Sequence, residues 1–267
     1  MKSLVKLYIQ QFKTTTANMF QYRAALLIWM IGQVLEPLVY LIVWSAVSNS
    51  SGGAIGGYTT GALVTYFIVL MLVNQFTYTW IMYEWEYRIR EGTLSFALLR
   101  PVHPIHSDIA DNISSKIITL PVMVLVALGL SIFFHASLNA PLWAILMFIP
   151  VLFVAFAIRF LFEWTLSQVA FWTTRVSAVN QTYFVLMLFL SGQLAPLALF
   201  PKQIQIIADV LPFHWMLGFP VELLTNRVSL SQALTGLGAQ LAWLIAGVLM
   251  LRLVWRAGTR AYTAVGQ

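Results

Sequence analysis

Six apolar stretches dominate this chain, at about 24–47, 60–82, 113–134, 142–171, 178–197 and 234–255. Each is near the roughly 20 residues a helix needs to cross a bilayer. In hydrocarbon every backbone N–H and C=O must be satisfied within the protein, so such stretches fold as helices. The expected fold class is therefore an all-α membrane protein with six transmembrane helices. With 60% hydrophobic and 9% charged residues, the chain falls far below the roughly one quarter charged content of a soluble domain. No repeat or second unit interrupts the pattern, and residues 1–267 read as a single transmembrane domain.

Lysines and arginines set the orientation. Lys2, Lys6, Lys13 and Arg23 precede the first span; Arg88, Arg90, Arg100 and Lys116 follow the second; Arg175 follows the fourth; Arg252, Arg256 and Arg260 end the sixth. With six spans all of these share one side, expected to be cytoplasmic together with both termini. The other side carries only Lys202 and Arg227 in its loops. A net charge of +6 is thus a topology signal, and no nucleic-acid partner is expected. The N-terminus is not expected to be a cleavable signal, because the first apolar run is about twice the length of a signal core. Residues 2–22 place Lys2, Lys6, Gln10 and Lys13 on one face and Leu4, Val5, Tyr8, Ile9 and Phe12 on the other. That pattern predicts an interfacial helix in contact with membrane lipid. Tyr22, Tyr58, Tyr83, Trp85, Trp143, Trp172 and Trp255 lie near span ends, as interfacial aromatic belts do.

Several chemistries find no residues to carry them. No phosphate loop occurs, so no nucleotide site and no cofactor is expected in this chain. There is no cysteine. His103, His106, Asp108 and Asp111 share a loop with two prolines and lack a helical His pair, so no metal site is expected. No catalytic constellation emerges and none is assigned. Ionisable groups at bilayer depth are costly and mark function by default. Glu36 lies mid-span before Pro37, as a structural carboxyl or a transport group. Arg159 and Glu163 are one turn apart and are expected to form a structural ion pair that snorkels at the cytoplasmic boundary. A stand-alone channel or ion-coupled carrier built on Glu36, Arg159 and Glu163 is the alternative reading.

Two stretches carry more information. "YEWEYRIREGTLSFALLRPVHPIHSDIAD" contains Arg90, Glu91, Gly92, Thr93, Leu94, Leu98, Leu99, Arg100 and Pro101. "SGQLAPLALFPKQIQIIADVLPFHWMLGFPVELL", 191–224, contains Gly192, Pro196, Leu197, Phe200, Pro201, Leu211, Pro212 and Phe213. Together, and in this order among six spans, they resemble the permease subunits of type-2 ATP-binding-cassette exporters. The resemblance implies a transport subunit of an ATP-driven exporter in a bacterial inner (plasma) membrane. Its partners would be ATP-binding-cassette ATPase subunits, which bind ATP and Mg, and a second permease, identical or homologous. It makes 90–104 a cytoplasmic coupling helix region, with Arg90, Glu91, Gly92, Leu94, Ala97, Leu98, Leu99, Arg100 and Pro101 meeting the ATPase. Leu94, Ala97, Leu98 and Pro101 fall at i, i+3, i+4, i+7, a stripe a partner could bury. The pathway would run along the first, second and fifth spans, with Gln33, Glu36, Asn74, Gln75, Asn180 and Gln181 as polar contacts. Residues 191–224 would form an outer re-entrant hairpin of two short helices, with Pro196, Phe200, Pro201, Pro212, Phe213 and Trp215 as a gate. The cargo is not implied.

Overall fold

The computed structural model describes residues 2–173 and 176–261; Arg175 lies outside them. The described chain is built from helices α1 (Lys2–Gln21), α2 (Arg23–Ser50), α3 (Thr60–Thr77), α4 (Ile81–Arg90), α5 (Leu94–Leu98), α6 (Ile105–Phe133), α7 (Leu142–Ser167), α8 (Val176–Leu190), α9 (Lys202–Val210), α10 (Pro212–Met216), α11 (Gly218–Leu224) and α12 (Leu230–Ala261). Short 3-10 turns follow α7 and precede α9. A two-residue hairpin, β1 (Ala54–Ile55) with β2 (Tyr58–Thr59), fills the polar loop after α2.

Five helical stretches are long and apolar enough to span a membrane: Arg23–Ser50, Thr60–Arg90, Ile105–Phe133, Leu142–Phe171 and Leu230–Ala261. The expected fifth span, 178–197, is shorter than its apolarity suggests. Helix α8 has 15 residues, about 22 Å at 1.5 Å per residue, against a hydrocarbon core of roughly 30 Å. Gly192 ends it. Its φ is +86°, open to glycine at little cost, and a Cβ there would sit 2.5 Å from the Tyr66 hydroxyl. That hydroxyl donates to the Gly192 carbonyl at 2.8 Å.

Helix α3 is the central element. Leu63 to Met71 are buried without a gap, as an all-round apolar helix requires. It packs against α2, α6, α7 and α11, while α12 lies along α7. The second span is not continuous: the helix breaks at 78–80 and resumes as α4. Buried charges hold the break open. Lys116 Nζ donates to the freed Tyr78 carbonyl at 2.6 Å, and the Thr79 hydroxyl donates to the Glu163 carboxylate.

Helix α1 lies along α6, and its apolar face is divided. Leu4, Leu7, Tyr8, Gln11 and Thr15 turn inward, while Val5, Ile9, Phe12 and Phe20 stay exposed beside Lys6 and Lys13. Thr15 and Gln11 donate to Asp111 at 2.6 and 3.4 Å. Residues 191–224 contain three short helices in place of the expected two. Of these, α10 and α11 are buried against α3, α7 and α12.

Candidate functional site: an inward-anchored α5 and a polar cleft

Segment 90–104 is held by an aromatic knot. Gly92, at φ +69°, turns the chain off α4 into α5. Leu94 is fully buried with Ile81, Trp85, Phe160, Trp164 and Phe171, and Ala97 and Leu98 pack on the same cluster. Leu94 therefore faces the chain's own core, with Ala97 and Leu98 partly buried beside it. The reason is local: α4, the end of α7 and the end of α12 converge here, and their aromatic rings need an apolar lid. The residues of α5 and its C-cap that do face outward are Phe96 and Leu99, 68% and 83% exposed. Arg90, Glu91, Arg100 and Pro101 are exposed around them, with Arg90 and Glu91 paired at 3.4 Å.

Asp108 is the polar centre of the knot. It accepts from Trp85 Nε1 at 3.0 Å, Trp164 Nε1 at 2.8 Å and Arg88 at 2.7 Å. Arg88 is held in turn by Glu84 at 3.0 Å, so it is a brace rather than a docking arginine. His103 lies against Trp255 with centroids 4.5 Å apart, and His106 meets the Tyr8 hydroxyl at 3.4 Å. The four His and Asp residues of this loop thus serve separate contacts. Trp85 and Tyr58, assigned to an interfacial belt, are buried instead.

A polar cleft of about 380 Å³ opens between α2, α3, α7 and α8. Gln33, Glu36 and Asn74 line it, three of the six expected pathway residues. The other three do not. Gln75 turns to the far side of α3 and donates to Thr119 at 3.0 Å; Asn180 is buried on the inward face of α8, and Gln181 is exposed on its outer face. Tyr40, Tyr78, Tyr83, Arg159 and Gln193 complete the lining. Gln193 donates to Glu36 at 2.8 Å, and Trp44 Nε1 donates to the Leu194 carbonyl at 2.8 Å. These bonds carry the chain after α8 across to α2. Gln193 was visible in "SGQLAPL", although nothing in that stretch indicated its partner.

Arg159 and Glu163 pair at 2.8 Å with side chains only 3% and 1% exposed. They are buried, not snorkelling. Arg159 also donates to Asn74 at 2.8 Å and to Thr77 at 3.0 Å, and Tyr183 donates to Glu163 at 3.1 Å. A buried pair persists only when its remaining hydrogen-bond capacity is filled, and α3 and α8 supply those bonds. The pair therefore welds α3, α7 and α8 together beside the cleft and fixes Asn74 within it.

None of the six expected gate residues lines the cleft. Pro196 and Pro212 are buried, Phe200 and Trp215 partly so, and Pro201 is exposed at the N-cap of α9. Phe213 packs 5.9 Å from Tyr183. Segment 191–224 is tied together by His214, whose Nδ1 and Nε2 lie 3.1 Å from Asp209 and from Glu222. Burial disfavours its charged form, but the Glu222 charge and the bonds to Asp209 and Glu222 outweigh that and raise its pKa to about 9. Asp209 is held below the usual carboxylate range chiefly by its hydrogen bond with His214.

A family model described as "ABC-2 family transporter protein" matches residues 34–266, from within α2 to beyond α12. Among curated proteins no relative matches. The match spans both sequence stretches that carried the resemblance, the cleft lining other than Gln33, and four of the five long apolar helices in full, with α2 from residue 34 onward. The chain therefore belongs to the ABC-2 transporter family and is a multi-pass membrane permease of the type-2 ATP-binding-cassette class.

Proposed function

We propose that this permease supplies half of an export pathway driven by separate ATPase subunits, with a second permease, identical or homologous, supplying the other half. The observation that carries the reading is the position of Glu36. It lies 14 residues into α2 (23 to 36) yet is exposed at the open edge of the cleft, where Gln193 and the Tyr40 hydroxyl are its hydrogen-bond partners. A carboxylate at that depth needs protein or water over it, and a second half facing α2 and α8 would provide both. Six crossings are the layout adopted, with α8 as the short fifth. In this layout 90–104 and both termini face the cytoplasm of a bacterial cell. The short helices of 191–224 lie on the outer side.

Docking of the ATPase falls to the outward edge of α5, through Phe96 and Leu99, with Arg90 and Arg100 meeting acidic groups. Because Leu94 is fused to the knot, a push on α5 moves α4, α7 and the end of α12 together. The test is co-purification from native membranes in mild detergent, with transport assayed in parallel. An ATPase should travel with the wild-type chain and be lost in Leu99→Asp, with transport abolished at unchanged permease yield. An intact complex and normal transport in Leu99→Asp would refute this docking edge. A stand-alone channel or carrier built on Glu36, Arg159 and Glu163 gains no support from the ion pair, since Arg159 and Glu163 are already occupied by each other and by Asn74, Thr77, Thr79 and Tyr183.

A further inference from the structure

Across α3 from the cleft lies a second cavity, bounded by the α1–α2 junction, the α3–α4 break and α6. It holds about 670 Å³, within the range of roughly 300–1,000 Å³ usual for small-molecule sites. Its polar wall changes along α6. Asp111 stands at one end, Lys116 in the middle, and Thr119 with Gln75 at the other. From 111 to 119 the rise is about 12 Å at 1.5 Å per residue. The α1–α2 side is mostly apolar, with Met19, Ala25, Leu26 and Trp29 beside Asn18 and Tyr22, and Trp80 and Glu84 join the lining from the α3–α4 break and α4.

Three groups on this wall have bonding capacity to spare. Lys116 Nζ donates to Tyr78 at 2.6 Å and lies 5.2 Å from the Phe156 ring. An ammonium has three donors, so a proton remains. The Thr119 hydroxyl donates to the Ser115 carbonyl at 3.0 Å and must therefore accept from Gln75 Nε2. That fixes the Gln75 amide and leaves its buried Oε1 without a partner among the described residues. A buried unmet acceptor costs about 1–3 kcal/mol. Asp111 holds only the neutral donors Thr15 and Gln11, so its charge has no cation in contact among the described residues.

We propose that this cavity binds a single-chain zwitterionic amphiphile, a lysophospholipid with an amine headgroup. The sequence of groups on the wall matches the sequence of groups in such a molecule. Its ammonium faces Asp111 beside Trp80, its phosphate meets Lys116, its free glycerol hydroxyl donates to Gln75, and its hydrocarbon lies along Leu26 and Trp29. A two-chain phospholipid lacks the hydroxyl and leaves Gln75 unmet. This site is separate from the cleft and needs no ATPase, so it stands or falls independently of the transport reading.

The test uses the purified full chain in maltoside detergent and lysophosphatidylethanolamine with a brominated chain, read by quenching of Trp29. Trp29→Phe identifies the quenched signal. Saturable quenching is expected, competed by the unbrominated lipid. Gln75→Leu, which removes the acceptor, and Leu26→Phe, which narrows the cavity, should each weaken binding at least tenfold. Monoacylglycerol, lacking phosphate and amine, should compete at least tenfold less well, and tail-less glycerophosphoethanolamine should not compete. Unchanged binding in Gln75→Leu and Leu26→Phe would overturn the proposal. So would equal competition by two-chain phosphatidylethanolamine, and competition by the tail-less headgroup would assign the site to a soluble phosphate compound.

Discussion

Glu163 accepts from Arg159, Tyr183 and Thr79 in a setting with almost no solvent. Glu163→Gln should leave Arg159 buried without its counter-charge, a loss of about 3–5 kcal/mol, whereas an exposed pair contributes at most about 1 kcal/mol. Thermal unfolding in detergent separates the two cases. Spacing in the sequence identified the partners but put them at the membrane boundary. Depth along a helix does not reveal that α3 breaks and sends Thr77 and Thr79 to meet them. His214 gives a second residue-scale prediction. Its pKa of about 9 exceeds the usual value of 6.5, so its contribution to stability is complete below pH 6.5 and is lost as pH rises through 9. The unfolding temperature should fall between pH 7 and 10, and His214→Gln should flatten that fall.

At the scale of elements, α5 separates a buried anchoring residue, Leu94, from the exposed edge proposed for docking. Leu94→Ala should destabilise the chain by about 2–5 kcal/mol, as expected for a buried leucine, while Leu99→Asp should leave unfolding unchanged because Leu99 is 83% exposed. Paired unfolding curves of the two variants check this. The apolar period predicted a stripe at Leu94, Ala97, Leu98 and Pro101; the first three share a face, while Pro101 lies beyond the end of α5 and is exposed. A period cannot say whether a five-residue helix turns its stripe toward a partner or toward its own chain. Here Trp85, Trp164 and Trp255 decide it, drawn together by Asp108 and by ring packing across some 170 residues (85 to 255). The early end of α8 was equally hidden, since the hydropathy of 191–197 continues the helix while Tyr66, distant in sequence, requires the Gly192 turn.

For the whole molecule, the long apolar helices and the family were legible in the sequence, because bilayer thickness and backbone hydrogen bonding leave few alternatives. The cleft was half legible. Gln33, Glu36 and Asn74 were found by their polarity, whereas Gln193, Tyr40 and Tyr78 depend on which helix faces which. Exposed Leu35 on α2 and Val185 on α8 flank the cleft. Since the chain has no cysteine, a single cysteine at Leu35 should cross-link to a second permease chain in native membranes, giving a band of two permease masses on a denaturing gel.

The central claim is that the outward edge of α5 receives work from an ATPase in another chain. Its most direct test is single-cysteine cross-linking in inside-out vesicles, with the transporter complex intact. Cysteines at Phe96 and Leu99 should each trap an adduct containing the ATPase subunit, and a cysteine at Leu94 should trap none. Absence of the adduct at both outward positions, or its formation at Leu94 alone, would contradict the account.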